Sequence, residues 1–262
     1  MSLRPEVSMD RAFVAAVVCV AILVGCDGSD GPNDPPVEDP TCLAAPEGLV
    51  HWWPGDGSGA DLVGGLDATP LNGATFAPGF VRSGGGMAFS FDGVDAVAHV
   101  PPANDLNVDG TFSVMAWARP GPQPTPNGAV VGKGDPWQES YVLDHHQDRW
   151  RGVVRIDAGF DVRLMGPPVG PGEWTHLALT WDSQQLVFYV DGLVEGSAPV
   201  ASILASTGFL GIGARSEAGF TDAELDLEFA GDVEEVALFE RALTPAEVAS
   251  IVEAGDSGMC KP

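Results

Sequence analysis

Apolar and polar residues alternate along several stretches of the chain, as they do in β-strands that bury one face. Two sets of side chains would each share one strand face: Phe112, Val114, Ala116 and Ala118 in the first set, and Leu177, Leu179 and Trp181 in the second. We predict strands at 49–53, 87–91, 96–100, 111–118, 174–181, 186–190, 209–213 and 233–239.

Short turns separate these strands. Asp191-Gly192 follows a predicted strand and is a strong signal for a tight β-hairpin. Asp182-Ser183-Gln184 and Asp92-Gly93-Val94-Asp95 join other neighbouring strands. Strands at this spacing, with almost no helical pattern, predict an all-β sandwich of two packed antiparallel sheets.

One short helix is predicted near the C-terminus. Thr244-Pro245-Ala246-Glu247 provides an N-cap threonine, a proline at the first helical position and the glutamate of a capping box. Gly255 would end the helix. The apolar stripe of Val248, Ile251 and Val252 is expected to pack against one end of the sandwich.

The composition limits the classes of function. The chain has 262 residues and a net charge of −25, and this length suits one sizeable β domain. So acidic a surface repels nucleic-acid phosphates and anionic bilayers, so no nucleic-acid partner is expected. A solvated acidic surface is the simplest interpretation, and cation binding is the alternative.

The N-terminal segment has the pattern of an export signal. Arg11 precedes the apolar stretch 12–24, which is too short to span a bilayer comfortably. The stretch ends in Leu23-Val24-Gly25-Cys26, which resembles the bacterial lipobox. The resemblance implies that residues 1–25 are a lipoprotein signal peptide and that the sulfur of Cys26 carries the lipid. An ordinary signal peptide with a coincidental cysteine is the alternative, and Met9 is a second candidate start.

Residues 26–41 follow as an acidic, proline-rich tether. Repulsion between the acidic side chains and the stiffness of proline keep such a segment extended, and it has too few apolar residues to form a core. We therefore expect an exported protein of the bacterial cell envelope or cell surface. Lipid would anchor it to a membrane, and its folded domain would occupy residues 42–262.

Four stretches carry a family resemblance: 48–57, 72–93, 174–192 and 229–244. In this order they resemble the laminin-G-like, concanavalin A-like jelly-roll domains of bacteria, and the resemblance covers about residues 42–262. It implies an antiparallel jelly-roll sandwich. It leaves the function open, because this sandwich hosts many activities.

Domains of that family often carry cysteines near both ends, and Cys42 and Cys260 take those positions here. An exported protein meets an oxidising compartment, so the resemblance implies a disulfide bond between them. Two free thiols are the alternative.

The same family often holds one structural Ca²⁺ ion between an early loop and the last strand. The candidate ligands here are Asp56, Asp61, Asp92 and Glu234, since calcium takes hard oxygen ligands. Glu234 stands where the family's last-strand motif has aspartate, and its longer side chain changes the reach. Turn-forming and solvated acids are the alternative.

A possible catalytic pattern precedes the last predicted strand. Glu224-Leu225-Asp226-Leu227-Glu228 matches the strand signature of β-glucanases, in which alternate carboxylates act as nucleophile, assisting acid and acid/base. In that family the motif lies mid-chain, which is not its position here. We therefore predict no catalytic residue and keep glycoside hydrolysis by Glu224, Asp226 and Glu228 as an alternative.

Aromatic and basic residues cluster between positions 137 and 151. Exposed aromatic rings beside arginine and histidine can stack on a sugar ring and hydrogen-bond to it. The candidate ligand-binding residues are Trp137, Tyr141, His145, Arg149 and Trp150. Burial of Tyr141 and Trp150 within strands is the favoured alternative.

These observations favour a non-catalytic binding module that is displayed from a membrane through its lipid anchor. Its expected ligand is a carbohydrate or another envelope or extracellular molecule, including protein. A glycoside hydrolase and a purely structural envelope protein are the two other hypotheses.

Overall fold

The computed structural model describes residues 42–82, 85–107, 110–134, 139–157, 159–215 and 227–262. All of them fall in the unit Pro40–Pro262. In this part of the chain, no helix is both long enough and apolar enough to cross a bilayer. Cys26 and the segments 1–25 and 26–41 lie outside the described residues, so the signal peptide, lipidation and tether stay predictions.

The regular elements of the described residues are the strands β1 (Leu49–Trp53), β2 (Thr69–Leu71), β3 (Thr75–Pro78), β4 (Met87–Asp92), β5 (Val97–Val100), β6 (Phe112–Pro120), β7 (Asn127–Lys133), β8 (Tyr141–His146), β9 (Arg149–Arg155), β10 (Asp161–Pro168), β11 (Thr175–Trp181), β12 (Gln185–Val190), β13 (Leu193–Pro199), β14 (Leu210–Ile212) and β15 (Ala230–Phe239), and the helix α1 (Pro245–Ala254).

The strands form two antiparallel sheets. The eight-stranded sheet has the order β13-β12-β11-β6-β15-β4-β3, and β1 also pairs with β15. The seven-stranded sheet has the order β10-β9-β8-β7-β14-β5-β2. Several neighbours in each sheet are far apart in sequence, as where β15 lies between β6 and β4. This is the two-sheet jelly-roll sandwich with one short C-terminal helix that the sequence predicts, so the predicted fold class is confirmed.

The core lies between the two sheets and is filled by alternate residues of their strands. In β6 the alternate apolar residues from Phe112 to Ala118 are buried there, as their spacing predicts. The sheets approach closely at Gly152 of β9. A Cβ atom at that position would lie 2.8 Å from side-chain atoms of Leu179 and Phe188. The core therefore needs glycine at this point.

Two tight hairpins have the twisted two-residue turn that favours positive φ at both central residues. The β12–β13 turn has φ values of 49° at Asp191 and 79° at Gly192, where the sequence predicts a hairpin. The β8–β9 turn has φ values of 50° at Gln147 and 62° at Asp148. This second turn fixes the register of the strands that carry the site described next.

Helix α1 begins at a complete capping box. The Glu247 N–H donates to Thr244 Oγ1, and the Glu247 carboxylate accepts from the Thr244 N–H. Its buried residues Val248 and Ile251 pack in one cluster with outward-facing residues of the eight-stranded sheet, including Ala237. The helix therefore covers the outer face of that sheet, and the expectation that it covers one end of the sandwich is wrong.

The two ends of the domain are joined on this same face. Cys42 and Cys260 form a disulfide bond, which confirms that prediction. Beside it, Leu43 and Met259 pair in an isolated β-bridge, and both pack in the cluster that contains the buried residues of α1. The chain therefore enters and leaves the domain at the outer face of the eight-stranded sheet.

Candidate functional site

A groove lies on the outer face of the seven-stranded sheet, across strands β7 to β10. Alternation along β8 determines which side chains reach it. Tyr141 and Leu143 are part of the core between the sheets. Val142, Asp144 and His146 point the other way and line the groove.

Strand β9 continues the same alternation. Trp150 and Val154 belong to the core, whereas Arg151, Val153 and Arg155 line the groove. Because paired strands hold side chains more rigidly than loops do, this part of the groove is preorganised.

The groove encloses a cavity of about 250 Å³. Its remaining lining residues come from several elements: Asn127 of β7, Glu139 before β8, Asp161 and Arg163 of β10, Arg215 after β14, and Leu227 before β15. The lining therefore combines a few apolar side chains with many charged ones.

Asp144 and Arg151 face each other across the β8–β9 hairpin. Arg151 Nε donates to Asp144 Oδ1 at 2.8 Å, and Arg151 Nη2 donates to Asp144 Oδ2 at 2.5 Å. Both side chains are buried. A bidentate pair of this kind compensates both charges and fixes both side chains. The two residues form a rigid floor for the groove.

Asp161 accepts hydrogen bonds from two arginines. Arg155 Nη1 donates to Asp161 Oδ1 at 2.8 Å, and Arg163 Nη2 donates to Asp161 Oδ2 at 2.7 Å. The Arg155 side chain is 19% exposed and the Arg163 side chain 54%. Elsewhere in the groove, Arg215 forms an ion pair with Glu139.

Among the residues that the structure describes, the groove lining carries more positive than negative groups. Four arginines and three carboxylates belong to this part of the lining, which gives it a formal charge of +1. Burial, together with the neighbouring Arg151, lowers the pKa of His146 and so disfavours a positive charge on its imidazole. The whole chain has only 12 Lys and Arg residues and a net charge of −25. Four of those 12 therefore gather in one groove.

The candidate ligand-binding residues lie mostly on the other face of the same strands. Tyr141, His145 and Trp150 are at most 1% exposed, and the rings of Tyr141 and Trp150 are part of the core. Burial of Tyr141 and Trp150 within strands, the favoured interpretation, is therefore confirmed, and none of the three side chains is exposed to a ligand in this structure. Arg149 is exposed at the start of β9, and Trp137 lies outside the described residues.

Of the groove residues of β8 and β9, only His146 and Arg151 belong to the aromatic and basic cluster that the sequence singles out. The others were missed, although a signal for the pair of Asp144 and Arg151 exists. Asp144 and Arg151 are equidistant from the turn Gln147-Asp148. In a two-residue hairpin such positions lie opposite each other, and opposite charges there attract. This symmetry predicts the pair once the turn is recognised.

Asp61, a predicted calcium ligand, is occupied by protein donors. Its oxygens lie within 3.1 Å of five of them: His51 Nδ1 and the N–H groups of Trp52, Val63, Gly64 and Leu66. Burial alone would raise the pKa of Asp61, but these hydrogen bonds lower it to about 2. Asp61 therefore organises its own loop.

The other three predicted calcium ligands also have protein partners. Asp92 caps its own turn, and Asp56 forms an ion pair with Lys261. Glu234 Oε1 accepts from the N–H groups of residues 80 and 81 at 2.8 and 3.0 Å, and burial raises the pKa of Glu234 to about 8. Among the residues described, no group of three or more His, Cys, Asp or Glu side chains could hold a metal ion. The four carboxylates therefore do not fit the expected calcium site.

Only one of the three carboxylates of the glycosidase pattern lies within the described residues. Glu224 and Asp226 lie outside the described residues, and Glu228 precedes β15 without lining the groove described above. The three carboxylates that line the described part of the groove are each in an ion pair with arginine. None of them is placed as an uncommitted proton donor.

In a comparison with protein families, the model of the concanavalin A-like lectin/glucanases superfamily matches residues 91–249. A comparison with curated proteins finds no match.

Solved structures with the same fold include several binding domains. The binding domain of Paraclostridial Mosquitocidal Protein 1 superposes with a TM-score of 0.63 at 12% identity, over 78% of this chain and 52% of that one. Domain 4 of AbnA, an extracellular arabinanase from Geobacillus stearothermophilus in complex with arabinotriose, has a TM-score of 0.57 at 19% identity, over 77% and 97%. Trypanosoma rangeli sialidase has a TM-score of 0.59 at 19% identity, over 80% and 33%. This chain spans about half the length of the first of these, and identities this low show a common fold alone.

Proposed function

The chain belongs to the concanavalin A-like lectin/glucanase superfamily, and on that premise we propose that it is an exported lipoprotein whose domain binds carbohydrate without cleaving it. Cys26 would anchor the protein to a membrane, and residues 42–262 would present the groove of the seven-stranded sheet to the ligand.

The observation that carries this proposal is the preorganised polar groove. Saccharides expose many hydroxyl groups, and they are recognised by fixed charged donors and acceptors set among apolar surface. The bidentate pair of Arg151 and Asp144 supplies a fixed donor and acceptor set. Val142 and Val153 supply apolar surface beside it. This combination suits the alternating polar and apolar faces of a sugar ring.

An exposed aromatic ring lies next to the groove in sequence. Phe160 is 70% exposed and immediately precedes Asp161, at the β9–β10 hairpin. The face of an exposed aromatic ring is apolar surface on which a sugar ring can stack. Phe160 is therefore a better stacking candidate than the buried Tyr141 and Trp150.

The structural neighbours support a binding role on this fold. One of them, domain 4 of the arabinanase AbnA, was solved in complex with arabinotriose. Another is the binding domain of Paraclostridial Mosquitocidal Protein 1. The arginine pairing of the carboxylates in the groove supports binding over hydrolysis, because a glycosidase needs one carboxyl group that is free to donate a proton.

The point at which the chain enters the folded domain supports the proposal that the domain is presented from a membrane. Cys42 and Leu43 lie at the outer face of the eight-stranded sheet, where Leu43 packs beside α1. The groove occupies the outer face of the other sheet. Cys42, the residue to which a tether would be joined, therefore lies on the opposite face of the sandwich from the groove.

The test is a glycan array probed with the full chain in non-ionic detergent, with a variant that fills the groove. Val153→Trp adds bulk to a groove-lining position, and we expect it to weaken the binding of every retained glycan by at least about tenfold. Val94→Trp is the matched control, because Val94 is 70% exposed in the β4–β5 turn. Retention of no glycan, or equal binding by both variants, would contradict the proposal. The first of these results would favour a purely structural envelope protein.

A further inference from the structure

We propose that the groove selects an acidic saccharide, whose carboxylate or sulfate group is held by Arg155 and Arg163. This inference rests on the carbohydrate-binding function proposed above and adds the charge class of the ligand.

The first argument is the imbalance of charge at Asp161. One carboxylate serves two guanidinium groups, at 2.8 Å from Arg155 and 2.7 Å from Arg163. The three side chains together therefore carry a formal charge of +1. An anion placed between the two arginines would neutralise this excess positive charge. The Arg151–Asp144 pair has no such imbalance, because its single carboxylate meets a single guanidinium in a bidentate contact.

The second argument is the number of donors that remain. A guanidinium group has five N–H donors, and Arg155 and Arg163 each use one in the contact with Asp161. The Arg163 side chain is 54% exposed, so its remaining donors are accessible to a ligand. Planar arginine forks match the two oxygens of a carboxylate or sulfate.

The third argument is the placement of the two arginines. Asp161 is the direct cross-strand partner of Arg155, and Arg163 stands two positions further along β10, opposite Val153. Residues two apart on a strand share one face. Both guanidinium groups are therefore on the groove side of the sheet, at the edge of the apolar surface that Val153 provides.

The charge of the whole chain decides which kind of anion fits. A net charge of −25 repels nucleic acids and anionic bilayers at long range. A cavity of about 250 Å³ accepts a small anionic group but no extended polyanionic surface. A short acidic saccharide meets both conditions, because it brings few charges and presents them at contact distance.

The experiment is isothermal titration of the full chain in non-ionic detergent with three oligosaccharides of equal length. An oligogalacturonate carries carboxylates, a heparin-derived oligosaccharide adds sulfates, and a cello-oligosaccharide is neutral. We expect binding of at least one acidic ligand and much weaker binding of the neutral one. The comparison of the first two shows which anion the arginines prefer.

Arg163→Gln and Arg155→Gln should each weaken binding of the acidic ligand by about 10- to 100-fold, because each removes charged hydrogen bonds. Arg82→Gln is the matched control. It makes the same change of charge at a side chain that is 83% exposed and pairs only with Asp256 among the described contacts. Its affinity should stay close to that of the wild type. Arg163 is the more informative of the two positions, since substitution of a side chain that is 54% exposed changes stability little.

Four results would overturn the inference. Equal losses in Arg82→Gln and Arg163→Gln would show general charge attraction. Unchanged affinity in both groove variants would place the anion elsewhere. Preference for the neutral oligosaccharide, with binding abolished by Val153→Trp, would leave the carbohydrate-binding function standing and reject its acidic selectivity. Binding of no saccharide would reject both.

Discussion

His176 should make the domain sensitive to acid. It lies on β11 on the face covered by α1, it is fully buried, and its ring packs edge-on against Trp117 with 5.2 Å between ring centroids. Neither ring nitrogen has a hydrogen-bond partner among the residues that the structure describes. Burial lowers the pKa of His176 to about 3 from an ordinary value of 6.5. The folded state therefore keeps this histidine neutral at a pH where the unfolded chain protonates it.

The size of the effect follows from linkage. A group whose pKa is lowered on folding binds its proton more readily in the unfolded state, so stability falls as pH drops below 6.5. With pKa values of 6.5 unfolded and about 3 folded, the loss between pH 8 and pH 5 is about 2 kcal/mol. Any folded-state pKa below about 4 leaves this figure almost unchanged, because the imidazole of the folded protein is then neutral at both pH values.

The perturbation is His176→Leu, which replaces an imidazole without hydrogen bonds by an apolar side chain of similar volume. At pH 8 we expect a free energy of unfolding within about 1 kcal/mol of the wild type, or higher. At pH 5 the variant should gain a further advantage of about 2 kcal/mol, which corresponds to about 4–8 °C in Tm for a domain of this size. Denaturant unfolding and calorimetry at both pH values measure it.

The assay must compare variant with wild type, because two buried glutamates act in the opposite direction. Burial raises the pKa of Glu234 to about 8 and that of Glu235 to about 7. A carboxyl group whose pKa is raised on folding stabilises the folded state at low pH, and that contribution is lost as pH rises through the folded pKa. The wild-type curve therefore mixes both trends, whereas the difference between the two proteins isolates His176. Parallel curves for the two proteins from pH 8 to pH 5 would refute the reasoning.

Three further predictions concern the anchor, the disulfide and calcium. Labelled palmitate should enter the wild-type protein and be absent from Cys26→Ala, and equal labelling of both would exclude Cys26 as the lipid site. Reduction of the Cys42–Cys260 bond, which joins residues 218 positions apart, should lower the free energy of unfolding by about 5 kcal/mol in the chain-entropy model. Calorimetry with and without reductant measures this, and an unchanged Tm would argue against the bond. Calcium chloride and sodium chloride at equal ionic strength should shift Tm alike, since the four candidate ligands have protein partners. A rise of several degrees specific to calcium would restore the site expected from the sequence.

The fold could be predicted because its strands and caps are encoded locally. In β6, apolar residues recur at every second position and lie in the core. The hairpin at Asp191-Gly192 and the capping box of Thr244 and Glu247 depend only on residues a few positions apart. Such features need no knowledge of the remaining chain.

The face of β8 could not be predicted in the same way. Both faces of this strand are largely buried, so polar and apolar residues do not alternate cleanly between them. A histidine, His145, points toward the core, and an apolar residue, Val142, lines the groove. The aromatic residues of this region suggested a ligand site, but the sheet register places the rings of Tyr141 and Trp150 in the core between the two sheets. Only the register with β7 and β9 distinguishes the two faces.

The positive charge of Arg155 and Arg163 could not be predicted as a binding feature for a different reason. That reason is the distance over which charges interact. The net charge of −25 describes the whole chain, and in physiological salt its influence on a ligand fades over a Debye length of about 8 Å. An anionic group of a ligand in the groove would lie within one Debye length of Arg155 and Arg163. Its binding would therefore depend mainly on contacts with these two residues. Glu139 and Arg215 lie 76 positions apart in the chain, and they meet because β14 lies next to β7 and β7 next to β8. Composition therefore describes which partners are repelled at a distance, whereas the strand order determines which ligand is accepted at contact.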